Sequence, residues 1–351
     1  MDIRKQEITR EDCATLFPNG PAALAGLRGE TLLVTGGTGF VGTWLAELGA
    51  WLNDEHGFGL HMILLSRQES DFAGKAPHLA GRKDIRLLKM DVRNVQEFPP
   101  EVTLLVHAAG TPDNRFHATD PLSTMDIFVR GCRSVLNAAA RLPALKRVLH
   151  LSSGLVCGGQ PLDLPRMPES FAGRAEFGSV ASCYTESKRM AETVCAGFRS
   201  QHRLPIVVAR PFAFIGPYQL LDRPWAINNF VRDALLGGPI RIQGDGETVR
   251  SYLYGADLAC WLYAMLLEGQ IGHAYNVGSP EPVTLKDLAD LIADQLSRRP
   301  KIERNLATAS RFQATRFVPD VTLAESTLGL QRRFPLLAAI RRTIAWNQAQ
   351  A

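Results

Sequence analysis

The sequence predicts an α/β protein, with a doubly wound parallel sheet and a smaller, mixed C-terminal lobe. Three observations lead to this prediction. Continuously apolar runs alternate with longer helical runs, a glycine-rich turn joins the first strand to the first long helix, and the alternation loosens after Pro211. Strands that are apolar on both faces are typical of a parallel sheet covered by helices. With 351 residues, the chain is long enough for one large domain and a smaller one.

The predicted elements follow one another in the order that this fold requires. Short, continuously apolar runs predict strands, whereas longer runs with apolar residues three or four positions apart predict helices. The predicted strands cover 31–36, 61–67, 85–92, 101–110, 146–154 and 204–211, and the predicted helices cover 40–56, 121–142, 184–203 and 284–299.

Composition and charge argue against several classes of function. The net charge of +4 is too small to indicate nucleic-acid binding. No apolar run is as long as a membrane span, and the N-terminus is too charged for a secretory signal. The six cysteines form no C-x-x-C pair, and no carboxylate cluster has metal-ligand spacing. We therefore expect a cytoplasmic protein with a metal-free site and neither nucleic-acid nor membrane partners.

A glycine-rich turn, within TLLVTGGTGFVG, lies between the first strand and the first long helix. Glycine lets the backbone turn tightly and approach a pyrophosphate, whose charge is met by the N–H groups and dipole of the helix start. This context predicts a dinucleotide-binding loop of the Rossmann type. The residues predicted to contact the dinucleotide here are Gly36, Gly37, Thr38, Gly39, Phe40, Val41 and Gly42.

The end of the second strand indicates which dinucleotide binds. An acidic residue is expected there to hold the ribose 2′-hydroxyl, but the sequence has Ser66 and Arg67. A serine and a guanidinium suit a 2′-phosphate better, which favours NADP over NAD unless Arg67 only points into water. The other strand-end residues predicted to contact the cofactor are Asp91, Val92, Ala108, Ala109, Gly110 and Pro211.

A possible proton-transfer group lies in the stretch SCYTESKRMAE. Tyr184 and Lys188 are four positions apart and share a helix face. A free phenol, with a pKa of about 10, is a poor base at neutral pH, but a nearby ammonium and an oxidised nicotinamide favour the phenolate. Ser153, at the end of the preceding strand, can hydrogen-bond the same substrate oxygen. We predict that Ser153, Tyr184 and Lys188 are catalytic.

Taken together, TGGTGFVG, HAAG, SSGLVCG, YTESK, RPFAFIGP and RSYLYGADLA resemble the extended short-chain dehydrogenase/reductase family, in its NAD-dependent epimerase/dehydratase group. The resemblance covers roughly residues 30–330 and implies a nucleotide-sugar substrate. It also implies that Lys188 holds the nicotinamide ribose and that Arg250 binds the substrate diphosphate, although Arg250 could instead form a salt bridge with Asp257 or another acid. Asn229 is a further candidate for substrate contact.

One departure from the family pattern bears on the reaction. Members that dehydrate or decarboxylate the sugar usually carry an acid within two positions of the catalytic Ser or Thr, where this chain has Gly154 and Leu155. A 4,6-dehydratase or decarboxylase is therefore disfavoured, unless an acid such as Glu186 arrives from elsewhere. The expected reaction is epimerisation through a 4-keto intermediate. An NADPH-dependent 4-ketoreductase is the alternative, and a reductase of non-nucleotide carbonyls is disfavoured by Arg250.

The motifs suggest a division of the chain into three parts. Residues 1–29 would be an extension packed outside the main fold, 30–210 the Rossmann domain and 211–351 the substrate lobe. Within the lobe, the part near 247–270 would return to the Rossmann domain. The long helices at 121–142 and 184–203 resemble the pair through which family members dimerise, so we also expect a homodimer.

Overall fold

The structure is a computed structural model that describes residues 3–67, 70–111, 113–173, 178–306 and 314–349. Its strands are β1 (Thr31–Thr35), β2 (His61–Ser66), β3 (Ile85–Lys89), β4 (Leu104–His107), β5 (Arg147–Leu151), β6 (Ile206–Pro211), β7 (Phe214–Ile215), β8 (Ile240–Gln243), β9 (Val249–Arg250), β10 (Leu253–Tyr254), β11 (Ala274–Val277), β12 (Val283–Thr284), β13 (Ile302–Asn305) and β14 (Arg316–Phe317).

The helices lie on both sides of the main sheet and in the C-terminal lobe. They are α1 (Ile3–Leu16), α2 (Phe40–His56), α3 (Ser70–Lys75), α4 (Pro77–Ala80), α5 (Asn114–Thr119), α6 (Pro121–Met125), α7 (Gly131–Ala139), α8 (Cys183–His202), α9 (Ala226–Leu235), α10 (Gly255–Glu268), α11 (Leu285–Ala293), α12 (Thr322–Leu328) and α13 (Leu336–Gln348). None of these described helices combines the length and apolar character needed to cross a bilayer.

The main sheet has seven parallel strands in the order β11-β6-β5-β4-β1-β2-β3. This confirms the predicted fold class, and each of the six predicted strands is present with narrower bounds. The seventh strand, β11, is not predicted by the sequence pattern, because it has only four residues and lies within the part of the chain expected to form the C-terminal lobe. It pairs with β6, placing Val277 opposite Pro211.

Alternate residues of the central strands face two separate cores. Leu32 and Val34 of β1 belong to the core under α2 and α10, whereas Leu33 belongs to the core under α7 and α8. The helix predicted over 121–142 is interrupted by a π-helical turn, Asp126–Arg130, which joins α6 to α7. Helix α11 is also shorter than predicted, ending at Ala293.

The N-terminal segment packs on the main core. Helix α1 contacts α2, α10 and α13, and Leu24 and Leu27, which follow it, are buried in the same core as β1. Asp12 of α1 accepts a hydrogen bond from Tyr254 Oη at 2.5 Å and pairs with Arg342 Nε of α13 at 2.6 Å. Residues 3–29 therefore share the main core instead of lying outside it.

The C-terminal part contributes both to the main sheet and to a small lobe. Helix α10 packs against α2, β5 and β6. The lobe contains the three-stranded sheet β12-β9-β14 and the parallel pair β13-β8, with α9 and α11 packed against β8. Phe317 of β14 stacks on Phe212 just after β6, with ring centroids 4.3 Å apart. This contact joins the lobe to the carboxyl edge of the main sheet.

Candidate active site

The glycine-rich loop packs tightly against two neighbouring strands. Gly36 has φ of +69°, and a Cβ there would lie 2.9 Å from Ala108 O and Ala109 Cα. A Cβ at Gly37 would lie 2.7 Å from Leu64 Cα. No side chain caps the start of α2 at Gly39, so its first N–H groups are available to an anion. The loop and helix start therefore fit a dinucleotide pyrophosphate.

The end of β2 is connected to this loop by a hydrogen bond. Thr38 Oγ1 donates to Ser66 Oγ at 2.8 Å, and the next residue, Arg67, is exposed. Sequence reasoning missed Lys75, which donates to Thr38 O at 3.1 Å and Thr43 Oγ1 at 3.0 Å. Burial lowers the Lys75 pKa to about 8. A basic side chain is thus held against the loop at the Ser66 end.

Two of the other predicted cofactor residues already have partners within the protein. Asp91 forms a two-point ion pair with Arg93, with N–O distances of 3.0 and 2.7 Å. This pairing lowers the pKa of the Asp91 carboxyl. Val92 is buried against α7, where a Cβ at Gly131 would lie 3.0 Å from Val92 Cγ2. The Val92 side chain therefore packs on the protein, and only its backbone is suited to contact a cofactor.

The end of β4 leads directly into the site. Ala109 N donates to Thr35 Oγ1 at 3.2 Å, which fixes the start of the turn. Gly110 has φ of +155°, and a Cβ there would lie 2.8 Å from Phe128 Cζ. Glycine at 110 thus makes room for the Phe128 ring. Pro211 ends β6 beside β5, at the same edge of the sheet.

The three predicted catalytic residues lie where β5 ends and α8 begins. Ser153 comes after the carboxyl end of β5, and Tyr184 and Lys188 are in the first turns of α8. Ser153 follows β5 and begins a 3-10 turn over Gly154–Cys157. Burial raises the pKa of the Tyr184 phenol, and a hydrogen bond with Ser153 partly opposes this rise. Lys188 Nζ lies 6.0 Å from the Tyr184 ring centroid and donates to Leu151 O at 2.8 Å. The structure thus brings the three predicted catalytic residues together.

The ionisation of this group differs from the sequence-based expectation in one respect. The ammonium of Lys188 was expected to favour the Tyr184 phenolate, but in the protein alone burial dominates and the Tyr184 pKa is raised. Burial also lowers the pKa of Lys188 to about 8. Tyr184 is therefore a neutral phenol at pH 7 unless further positive charge is brought close to it.

Two aromatic neighbours of Tyr184 were not predicted. His117 stacks on its ring with centroids 4.4 Å apart, and Phe128 meets it edge-on at 5.2 Å. Lys188 Nζ lies 4.4 Å from the centroid of the same Phe128 ring. His117 lies on α5 and Phe128 in the π-helical turn, so no local motif associates either residue with Tyr184.

Arg250 lies in the lobe and is not paired with Asp257. It donates to Val249 O at 2.8 Å and to Thr315 Oγ1 at 2.9 Å, and among the described residues it forms no salt bridge. The Asp257 carboxylate instead accepts backbone N–H groups of Arg333 and Phe334 at 2.8 and 3.1 Å. A half-buried guanidinium without an acidic partner suits an anionic ligand.

Arg250 is connected to the catalytic turn through aromatic contacts. It is the register partner of Phe317, which stacks on Phe212, and Phe212 covers Gly154. Asn229 lies on α9 and is half-buried. The structure records no contact between the described side chain of Asn229 and the Ser153 turn, so its role in substrate binding stays a prediction.

Neither position after Ser153 supplies an acid, and only one of them has room for a longer side chain. Phe212 occupies the space into which a side chain at 154 would project, and Leu155 is an exposed apolar residue. Glu186, the acid considered as a substitute, pairs with Arg189 Nη1 at 2.7 Å. The group at the sheet edge can therefore move a hydroxyl proton, but none of the carboxylates in the described part of the chain hydrogen-bonds Ser153.

Comparisons with known proteins agree with this geometry. The sequence model of the NAD dependent epimerase/dehydratase family matches residues 32–278. UDP-glucuronic acid decarboxylase 5 of Arabidopsis thaliana is 29% identical over 308 residues, which are 87% of this chain and 85% of that protein.

Two solved structures share the fold. The epimerase Mth375 of Methanothermobacter thermautotrophicus has a TM-score of 0.80 at 23% identity, covering 93% of this chain and 94% of that one. The UDP-glucose 4-epimerase of Thermotoga maritima, solved with UDP-glucose, has a TM-score of 0.74 at 20% identity, covering 91% of this chain and 98% of that one.

Proposed function

Because this chain belongs to the NAD dependent epimerase/dehydratase family, we propose that it is a nucleotide-sugar epimerase that acts through a 4-keto intermediate. One observation carries the proposal: Ser153, Tyr184 and Lys188 are assembled, while Phe212 fills the space beside Gly154 that a dehydratase acid would need. Oxidation and reduction at one carbon need only Ser153, Tyr184 and Lys188 from the protein. Elimination of water needs additional acid–base residues.

Each part of the site would have its own role in the reaction. The glycine loop and the start of α2 would hold the pyrophosphate of the dinucleotide. A nicotinamide dinucleotide bound there would supply positive charge near Tyr184 and the capacity to accept a hydride from the sugar and return it. Tyr184 would take the proton of the sugar hydroxyl and give it back, while Ser153 holds the carbonyl oxygen by a hydrogen bond. Lys188 would stabilise the Tyr184 phenolate, and Arg250 would bind the substrate diphosphate.

Decarboxylation of a nucleotide-linked uronic acid is the second candidate function. The similarity to UDP-glucuronic acid decarboxylase 5 supports it, since this likeness spans most of both chains. Oxidation at C4 turns a uronic acid into a β-keto acid, and the same three residues could carry out that step. The resulting enolate must then be protonated at C5, and the absence of an acid at 154 and 155 argues against efficient protonation.

UDP-glucuronic acid is a substrate that separates the two functions. The purified chain should be incubated with it and with UDP-glucose, once with NAD and once with NADP, and the products examined by mass spectrometry and NMR. An isomer of unchanged mass supports the epimerase. Loss of CO₂ from UDP-glucuronic acid identifies the decarboxylase, and loss of water from either compound overturns both. Tyr184→Phe should abolish turnover, whereas Tyr275→Phe, on the edge strand β11, should not.

We also propose that the chain prefers NADP. Arg67 follows β2 where an acid would otherwise hold the ribose hydroxyl, and Lys75 is held beside Thr38 in the adjoining loop. Two basic side chains near one ribose favour a 2′-phosphate. Reduction of a 4-keto nucleotide sugar at the expense of NADPH, without epimerisation, would identify the alternative 4-ketoreductase.

Finally, we propose that the chain forms a homodimer through α6 to α8. Between these helices lies a groove that exposes apolar side chains on both of its walls. Leu122 is 77% exposed, Met125 41% and Met190 51%. Exposed apolar side chains grouped on the walls of one groove are typical of a surface that a second copy covers.

A further inference from the structure

A buried group of two histidines and two cysteines lies beneath the catalytic residues. His107 ends β4, His150 lies in β5, Cys132 is on α7 and Cys195 is on α8. None of the four side chains is more than 3% exposed. One donor atom from each of His107, Cys132 and His150 lies within 4.8 Å of the other two. The four residues come from four separate elements, so no spacing motif reveals them in the sequence.

His150 is the member of this group that the protein alone does not explain. It is 2% exposed, and the only described group within hydrogen-bonding reach of its ring nitrogens is the Cys132 thiol, which does not have the geometry of a hydrogen bond to either nitrogen. A buried polar group without a partner is destabilising. Since its donor atom faces the Cys132 thiol and the His107 ring, a ligand that accepts a nitrogen lone pair would remove this cost.

The neighbouring residues are arranged as metal ligands usually are. His107 Nδ1 is held by Thr35 Oγ1 at 2.7 Å, and a metal-ligating histidine typically binds a second protein group through its other nitrogen. Cys195 supplies a second thiol, within hydrogen-bonding reach of the Cys132 thiol. A thiolate is the form in which cysteine binds metals.

We propose that His107, His150, Cys132 and Cys195 form a structural Zn²⁺ site. Two nitrogens and two sulfurs are a typical tetrahedral zinc set, whereas calcium and magnesium require oxygen ligands. Bond lengths to zinc place such ligand atoms about 3.3–3.8 Å apart, so the donors of His107, Cys132 and His150, which lie within 4.8 Å of one another, need only a small inward movement. Cys195 lies outside this spacing and has further to move. With all four positions filled by protein, the metal has no open position for substrate, and its role is structural.

This site connects the elements that carry the catalytic group. The ligands join β4, β5, α7 and α8, and Lys188 on α8 donates to Leu151 O, the residue next to His150. Zinc binding displaces both thiol protons, so two thiolates balance the 2+ charge and the site places no net charge beside the Lys188 ammonium. Because protons are released, the apparent affinity rises with pH.

Metal titration of the reduced full-length chain tests this proposal independently of the sugar chemistry. Protein stripped with a chelator should be titrated with Co²⁺, followed by visible absorption, and with Zn²⁺ in competition with a colorimetric chelator. We expect one metal per chain, with a thiolate-to-cobalt charge-transfer band. His150→Phe and Cys132→Ser should each weaken Zn²⁺ binding by roughly 100-fold or more. The control Cys260→Ser, in the core on the other face of the sheet, should bind like the wild type.

Each outcome of this experiment decides the proposal. A wild-type chain that binds no Zn²⁺, or binds it as tightly as both ligand variants do, overturns it. A cobalt spectrum without thiolate bands overturns it as well, and this measurement needs no variant. Circular dichroism establishes whether each variant folds. If His150→Phe does not fold, His150→Gln, which cannot supply the imidazole ligand, replaces it in the titration with the same expected loss.

Discussion

Gly154 lies directly against the ring of Phe212. A Cβ at position 154 would come within 2.7 Å of Phe212 Cδ2 and Cζ, whereas carbon atoms in contact are about 3.5–4.0 Å apart. The ring is held in place by its stack on Phe317, with centroids 4.3 Å apart. Of positions 154 and 155, where an acid would stand just after Ser153, the first is therefore closed to any side chain.

Paired substitutions at 154 and 155 test this relationship. Gly154→Asp should destabilise the protein by at least about 2 kcal/mol, because it forces a side chain into the Phe212 ring. Leu155→Glu should change the stability by less than about 1 kcal/mol, because Leu155 is 42% exposed. Urea unfolding followed by fluorescence measures both. Equal stabilities for the two variants would show that Phe212 yields to a side chain at 154.

The sequence predicts those parts of the fold and site that depend on residues close together in the chain. The strand–glycine–helix turn, the four-residue spacing of Tyr184 and Lys188, and the serine at the end of a strand each follow from a short stretch of sequence. Strand β11 was missed because its four residues, Ala274–Val277, are recognisable as part of the main sheet only through their pairing with β6.

The residues that sequence reasoning missed come from distant parts of the chain. His117 stacks on Tyr184 from another helix, and Lys75 reaches the glycine loop from α3. Phe212 closes position 154 from across the sheet edge. Such contacts depend on how the elements pack, and a single sequence contains no pattern that predicts them. The same holds for the raised pKa of Tyr184, which results from burial.

Lys188 should reduce stability while it supports catalysis. Burial lowers the pKa of Lys188 from 10.5 to about 8. At pH 7 the side chain is therefore charged in the folded state, and burying that charge destabilises the protein. Lys188→Met should therefore abolish turnover and, even after loss of the bond to Leu151 O, raise the stability by about 2 kcal/mol at pH 7.

The pH dependence of this gain has a definite sign. Between about pH 8 and 10.5 the unfolded chain binds a proton at Lys188 that the folded chain does not, so the wild type gains stability relative to Lys188→Met as the pH rises. Thermal unfolding of both proteins from pH 7 to 10 measures the difference. A difference in stability between the two proteins that stays constant over this range would show that burial does not lower the pKa of Lys188.

Arg67 and Lys75 should set the cofactor preference. Arg67→Ala should weaken NADPH binding by roughly tenfold, because it removes a cation from beside the 2′-phosphate. Its effect on NADH should be small. Lys75→Met should weaken the binding of both cofactors, since Lys75 also donates a hydrogen bond to the Thr38 carbonyl of the glycine-rich loop. Fluorescence titration of the wild type and both variants with NADPH and NADH gives the six dissociation constants. Equal losses for both cofactors in Arg67→Ala would contradict an interaction with the 2′-phosphate.

The groove between α6 and α8 should be the contact between two copies. Leu122→Asp places a charge on an apolar residue that is 77% exposed in the single chain, and we expect it to convert a dimer into a monomer. Leu236→Asp is the matched control, because Leu236 is 76% exposed at the end of α9, away from this groove. Light scattering after gel filtration measures the mass. A dimer that survives Leu122→Asp would place the interface elsewhere.

Asp12 should make the attachment of the N-terminal helix depend on pH. Burial raises its pKa from 3.8 to about 7, against the opposing effects of Tyr254 and Arg342. Between about pH 4 and 7 the folded chain holds a proton at Asp12 that the unfolded chain has lost. Its contribution to stability therefore falls as the pH rises through this range.

A comparison with Asp12→Asn isolates this effect, because the amide cannot titrate. The wild type should lose stability relative to Asp12→Asn between pH 4 and 7, measured as the difference between their unfolding free energies. Glu11→Gln is the control: Glu11 also pairs with Arg342, at 2.9 Å, but is exposed, so its curve should follow that of the wild type. If the curves of Asp12→Asn and the wild type are parallel, Asp12 is ionised across this range, and its pair with Arg342 outweighs the cost of burial.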